Sequence, residues 1–136
     1  MKLNEFESTL STGQKVLYSY DEDSDLLEII FRQAEATGAI ELTESIILRF
    51  DLDTAEPLSL SFIAFSRLIQ PTEYEAQYFH LLADEWPEAV REKVEQMLRS
   101  GPLNEFLQVA GYLAPHSRYS IPMAMVKRPH VLAQTA

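Results

Sequence analysis

The chain contains no cysteine and only four glycines in 136 residues. Without thiols there is no disulfide framework, no cysteine-ligated zinc and no thiol nucleophile. The same lack fits a reducing cytoplasm, which is the expected location. With so few glycines the backbone has few places to cradle a phosphate. No G-x-G-x-x-G, G-x-x-x-x-G-K or G-x-S-x-G occurs. No apolar run approaches the roughly 18 residues that span a bilayer. The stretch Met1–Glu7 is too acidic and polar for a secretory leader. Cations are also scarce, and the formal net charge is −10. The charge is unevenly placed: −8 over residues 1–70, −5 over 71–110 and +3 over 111–136. An acidic body repels phosphate backbones and anionic lipid, so neither nucleic acid nor membrane is an expected partner.

What is present is patterned in two ways. Val16, Tyr18 and Tyr20 alternate with polar or smaller neighbours, as do Leu27, Ile29 and Phe31. Between them Asp21-Glu22-Asp23-Ser24-Asp25 has the composition of a turn. A second such unit follows. Ser45–Phe50 and Leu58–Ala64 read as strands around Asp51–Pro57, with a short strand over Ile40–Leu42 before them. The first half therefore predicts one antiparallel β-meander of four or five strands over about residues 14–68. From Pro71 the period becomes helical. Tyr74, Tyr78, Leu81, Leu82 and Trp86 fall on one face, Val90, Val94, Met97 and Leu98 on another, and Leu103, Phe106, Leu107 and Ala110 on a third. Gly101 reads as a left-handed cap and Pro102 as the opening of the third helix. The expected fold is α+β, a single domain over residues 1–112. Two or three short helices, over about 72–111, cover one face of the sheet. Residues 113–136 are expected as an extended C-terminal arm, its prolines confining it to an edge or an extended path.

The residues Tyr20-Asp21, Asp25, Leu27 and Ile29, with Ile46–Asp51, carry a resemblance. Residues 15–68 resemble domain-of-unknown-function family 2283, small bacterial proteins sharing a Tyr-Asp-x-x-x-Asp-x-Leu hairpin. The resemblance implies a β-meander and no established activity. The second turn departs from the family, which has Asp or Gly and then Gly-x-Glu. Here Thr54-Ala55-Glu56-Pro57 and Leu60-Ser61-Phe62 stand instead.

Candidate chemistry is sparse. Asp21, Asp23 and Asp25 match the opening of a calcium loop, but Leu26 stands where the loop needs glycine and Arg32 where it needs glutamate. Hairpin chemistry is the simpler account. His80 and Asp84 are spaced for half a metal site on a helix, with no H-E-x-x-H to complete it. No metal or other cofactor is expected, and no catalytic set is read. Tyr78, His80 and Trp86 are the candidates for a ligand pocket, weighed against a role in the core. Tyr119, Ile121, Met123, Met125 and Val126 are the candidates for an interface arm, because an apolar, basic tail sits poorly with a free end. The expected function is a non-enzymatic interaction module that forms a homodimer. A small-ligand binder or enzyme, or an acidic, antitoxin-like partner of a basic protein, are the alternatives.

Overall fold

The structure, a computed structural model, describes residues 3–68, 79–112 and 121–126. The chain divides into two compact units, Met1–Leu68 and Ile69–Ala136, rather than one domain and an arm.

The first unit is a six-stranded antiparallel sheet: β1 (Leu3–Thr9), β2 (Lys15–Asp21), β3 (Leu26–Ile30), β4 (Gly38–Thr43), β5 (Ile46–Asp51) and β6 (Glu56–Ile63). A short helix, α1 (Phe65–Leu68), follows. The five expected strands are present. β1, whose residues show no clear period, is an addition made by pairing with β2 along all seven residues. The spatial order is β1-β2-β3-β6-β5-β4, so a simple meander does not describe it. Two three-stranded meanders meet where β3 pairs with β6, and residues 31–37 cross from β3 to the far edge.

The two halves repeat one another. Val16–Phe31 and Ile46–Phe62 both place apolar residues at alternate positions, then an Asp, then a four-residue turn. The extra residue of the second half is absorbed at a register shift, where Phe50 faces Pro57 but Arg49 faces Ser59. Both turns end on a left-handed residue, Asp25 (φ 54°) and Ala55 (φ 56°). Both also open on an aspartate that accepts backbone N–H groups. Asp21 Oδ1 accepts from Asp23 at 3.0 Å, and Asp51 Oδ1 accepts from Asp53 at 2.9 Å and Thr54 at 3.1 Å. The β1–β2 turn is different. Gly13 N–H donates to Leu10 O at 2.9 Å with φ +93°, the left-handed position that glycine occupies without a side-chain clash.

Strand alternation sorts the side chains into two faces. Tyr18, Ile29, Leu60 and Leu48 lie side by side across four strands, with Leu27, Phe62 and Ile46 in the neighbouring row, and all are buried. The opposite face carries Leu17, Ser19, Glu28, Ile30, Ile47, Arg49 and Ser59, all half-buried, with Ser61 buried among them. At the β4 edge Gly38 lies opposite Phe50, and a Cβ there would stand 2.7 Å from the Phe50 ring. Phe50 is itself buried, so the ring has little room to yield. Gly38→Ala is expected to cost about 1–3 kcal/mol, the range for overpacking a filled site, read as a lower urea midpoint.

The second unit holds β7 (Phe79–His80), α2 (Glu88–Leu98), β8 (Leu107–Tyr112) and β9 (Ile121–Val126). The strands form an antiparallel sheet in the order β7-β9-β8. Of the two or three expected helices, α2 is present with its stripe buried: Val90, Val94, Met97 and Leu98. Of the Tyr74–Trp86 stripe, Tyr74 and Tyr78 lie outside the described residues, and the described part holds strand β7 and a 3-10 turn at Ala83–Glu85 in place of a helix. The Leu103–Ala110 stripe is a 3-10 turn at Leu103–Glu105 followed by β8. Leu103, Phe106 and Leu107 are nonetheless buried, since a short apolar run fits either period and only its burial was well determined. Gly101 is not left-handed, and Pro102 precedes a 3-10 turn rather than a helix. Of the expected arm, 113–136, only Ile121–Val126 lies within the described residues, and it is the middle strand of this sheet rather than an edge or a free extension. Its proline is tolerated because the two-residue β7 pairs only with Met123 and Ala124 and stops short of Pro122.

Candidate functional site

A compact polar cluster lies where the β2–β3 turn meets α1. Asp25 accepts from Tyr20 Oη at 2.8 Å, from Ser66 Oγ at 2.6 Å and from Ser66 N at 3.1 Å, while its carbonyl accepts from Phe65 N at 3.0 Å. Burial alone would raise the Asp25 carboxyl, but the bonds from Ser66 and Tyr20, with Arg67 nearby, hold it below the ordinary carboxylate value. Burial, then the bond to Asp25, then the surrounding carboxylates push the Tyr20 hydroxyl up to about 12. The thrice-bonded Asp25 therefore fastens the turn to α1, and the Tyr-Asp-x-x-x-Asp-x-Leu pattern is accounted for by hairpin chemistry. Tyr20 and Asp25 bond, Asp21 nucleates the turn and Leu27 is buried. The Asp21 and Asp25 carboxylates are engaged with protein donors. At the second turn, Asp51 is held low, first by the Thr54 N–H.

On the open face of the sheet, the crossing segment 31–37 leaves a hollow of about 380 Å³ beside β3 and β6. Glu28, Ile30, Arg32, Arg49, Leu58 and Ser59 line it, with part of Gln33–Ala36. Arg49 Nη1 donates to Ser61 Oγ at 2.8 Å. Arg32 pairs with Glu56 at 2.6 Å, with both side chains well exposed. The segment is held at its two ends: Phe31 N and Arg32 N donate to Leu58 O, and Thr37 N donates to Phe50 O. A second hollow, about 280 Å³, flanks the same Ile30–Gln33 stretch on the β2 side. The only sequence signal for this place was Arg49 interrupting an apolar strand.

The residues proposed from sequence gather elsewhere or not at all. Trp86 is buried in the second unit at 4% exposure, and its carbonyl accepts from Arg91 Nη2 at 3.3 Å. It is a core residue. His80 lies on β7, paired with Met123 across the sheet, and Asp84 lies in the 3-10 turn, so the two do not share a helix. Tyr78 and Tyr119 lie outside the described residues. Ile121, Met123, Met125 and Val126 are all on β9, and Val126 is buried within it. Among the described residues no group of three or more His, Asp or Glu is placed to hold a metal, and no helix is long and apolar enough to cross a membrane. No family model, no curated protein and no solved structure matches the chain.

Proposed function

We propose that the chain is a non-enzymatic interaction module that self-associates through the open face of its six-stranded sheet. The observation that carries this reading is Ile63, a large apolar side chain 43% exposed. Its register partner Leu26 and the nearby Ile47 lie on the same face. The sheet edges are poor alternatives. β1 presents Glu5 and Glu7, which would face one another in an antiparallel pair of copies. β4 carries Glu41 beside a register shift. A two-fold pairing needs one patch that complements itself, and a face that mixes Leu26, Ile47 and Ile63 with serines, Glu28 and Arg49 can meet that requirement by setting the glutamate of one copy against the arginine of the other. The likeness of residues 15–68 to family 2283 belongs to the same proposal as a relation of fold. A second reading, an acidic surface for a basic partner, is favoured by the net −8 of residues 1–70. Charge of that kind speeds encounter without naming the partner.

Light scattering on the size-exclusion eluate tests the first reading. The expected mass is twice 15.5 kDa. Ile63→Asp should return it to a single chain while leaving the circular dichroism unchanged. A wild-type chain that stays monomeric at high concentration would overturn self-association.

A further inference from the structure

The hollow beneath the crossing segment has a chemistry of its own, and its assignment does not require the chain to self-associate. It sits near Ser59, four residues along β6 from Ile63, or about 13 Å at the usual strand rise. Its volume, about 380 Å³, falls inside the range of small-molecule sites, about 300–1,000 Å³. Two arginines, Arg32 and Arg49, line it, although residues 1–70 carry only five cations against thirteen acids. Arg49 is oriented by its bond to Ser61, a buried residue on the neighbouring strand. That bond uses one of five guanidinium N–H groups, and the remainder form a fork suited to a carboxylate. The Arg32–Glu56 pair is solvent-exposed, so it is weak and exchangeable.

A simple anion is nevertheless a poor guest. Glu28 lines the same hollow, and the surrounding unit is strongly acidic. A zwitterion meets neither objection. Its carboxylate matches Arg49 and Arg32, its ammonium matches Glu28, and its zero net charge removes the repulsion from the acidic body. Ile30, Ala34 and Ala36 supply an apolar lining for a short aliphatic body. We infer that this hollow is a binding site for a small aliphatic α-amino acid.

The test is a titration of the ¹⁵N-labelled full chain, followed by amide shifts. L-alanine, L-valine and L-leucine are added singly. Isovalerate, which is valine without its ammonium, and isobutylamine, which is valine without its carboxylate, serve as controls. At least one amino acid should give saturable shifts concentrated at Ile30–Ala36, Arg49 and Ser59. For valine, each control should bind roughly tenfold or more weakly, the loss of a charge-paired contact. Arg49→Gln should abolish the response while keeping a dispersed spectrum. Glu28→Gln should narrow the preference for valine over isovalerate, a change that mere loss of folding would not produce. The same titration on Ile63→Asp should still give saturable shifts at the same residues, so that failure of the association reading and failure of this one are distinguishable. No saturable shift with any of the three, or isovalerate binding as well as valine, would overturn the assignment.

Discussion

Phe62→Ala is expected to lower the stability of the first unit by about 3–5 kcal/mol, the usual range for removing a buried phenylalanine. Phe62 is 1% exposed and lies between Leu27 and Ile46 on adjacent strands. Its ring also meets Phe65 edge-on at 5.9 Å, an arrangement worth about 0.5–1.5 kcal/mol within that total. The adjacent residue is the control. Ile63 points to the other face, so Ile63→Ala should change stability by no more than about 0.5 kcal/mol in the dissociated chain. Urea titrations followed by far-ultraviolet circular dichroism would measure both. Similar costs for the two substitutions would contradict the assignment of the faces.

Asp25→Ala is expected to cost about 2–3 kcal/mol. Hydrogen bonds to a charged group contribute about 1.5–3 kcal/mol each, and the partial exposure of this cluster reduces the sum. Asparagine should cost less, because it tolerates the left-handed backbone and keeps an acceptor. The cluster also sets how stability depends on pH. The folded Asp25 carboxyl lies below its ordinary value of 3.8, so its contribution is complete above that value and is lost as the pH falls through the lower, folded value. Tyr20 behaves oppositely, its folded value raised from 10.0 to about 12. Its contribution is complete below pH 10 and disappears as the pH rises toward 12. Urea midpoints measured against pH should therefore fall at both ends. Tyr20→Phe should flatten the alkaline fall and also lessen the acid one, because the Tyr20 hydroxyl is one of the donors that hold Asp25 low, and Asp25→Ala should flatten both. An alkaline fall of the same depth in Tyr20→Phe would place its origin elsewhere.

Much of the first unit was legible because period-two alternation and Asp-rich turns are local signals. Val16, Tyr18, Leu27, Ile29, Leu48 and Leu60 point inward as their spacing predicts. β1 was not legible. Its stability comes from a partner strand, and Asn4, Glu5 and Glu7 have no strand preference of their own. The strand order was hidden for a related reason, since the β3–β6 pairing joins residues about thirty positions apart and leaves no trace in either segment alone. In the second unit burial was read more reliably than element type: Leu103 and Phe106 are core residues on a turn rather than a helix. Trp86 was ambiguous from sequence, because aromatic rings serve both pocket and core, and it is 4% exposed, among the core residues. The hollow with Arg32, Arg49 and Glu28 draws on β3, β5 and the crossing segment, so no motif could announce it.

The repeat of the two meanders gives the crossing segment a further consequence. Each half, taken alone, would carry on β3 or β6 a bare row of backbone donors and acceptors backed by Leu27 and Ile29, or by Leu60 and Phe62. Separate halves would have to find one another as a bimolecular reaction, in competition with pairing to their own copies. Residues 31–37 make the encounter intramolecular, and a tether this short holds the two rows at an effective concentration on the order of millimolar. The seven-residue crossing thus acts as a kinetic safeguard, closing the seam within one chain before a neighbouring chain can occupy it.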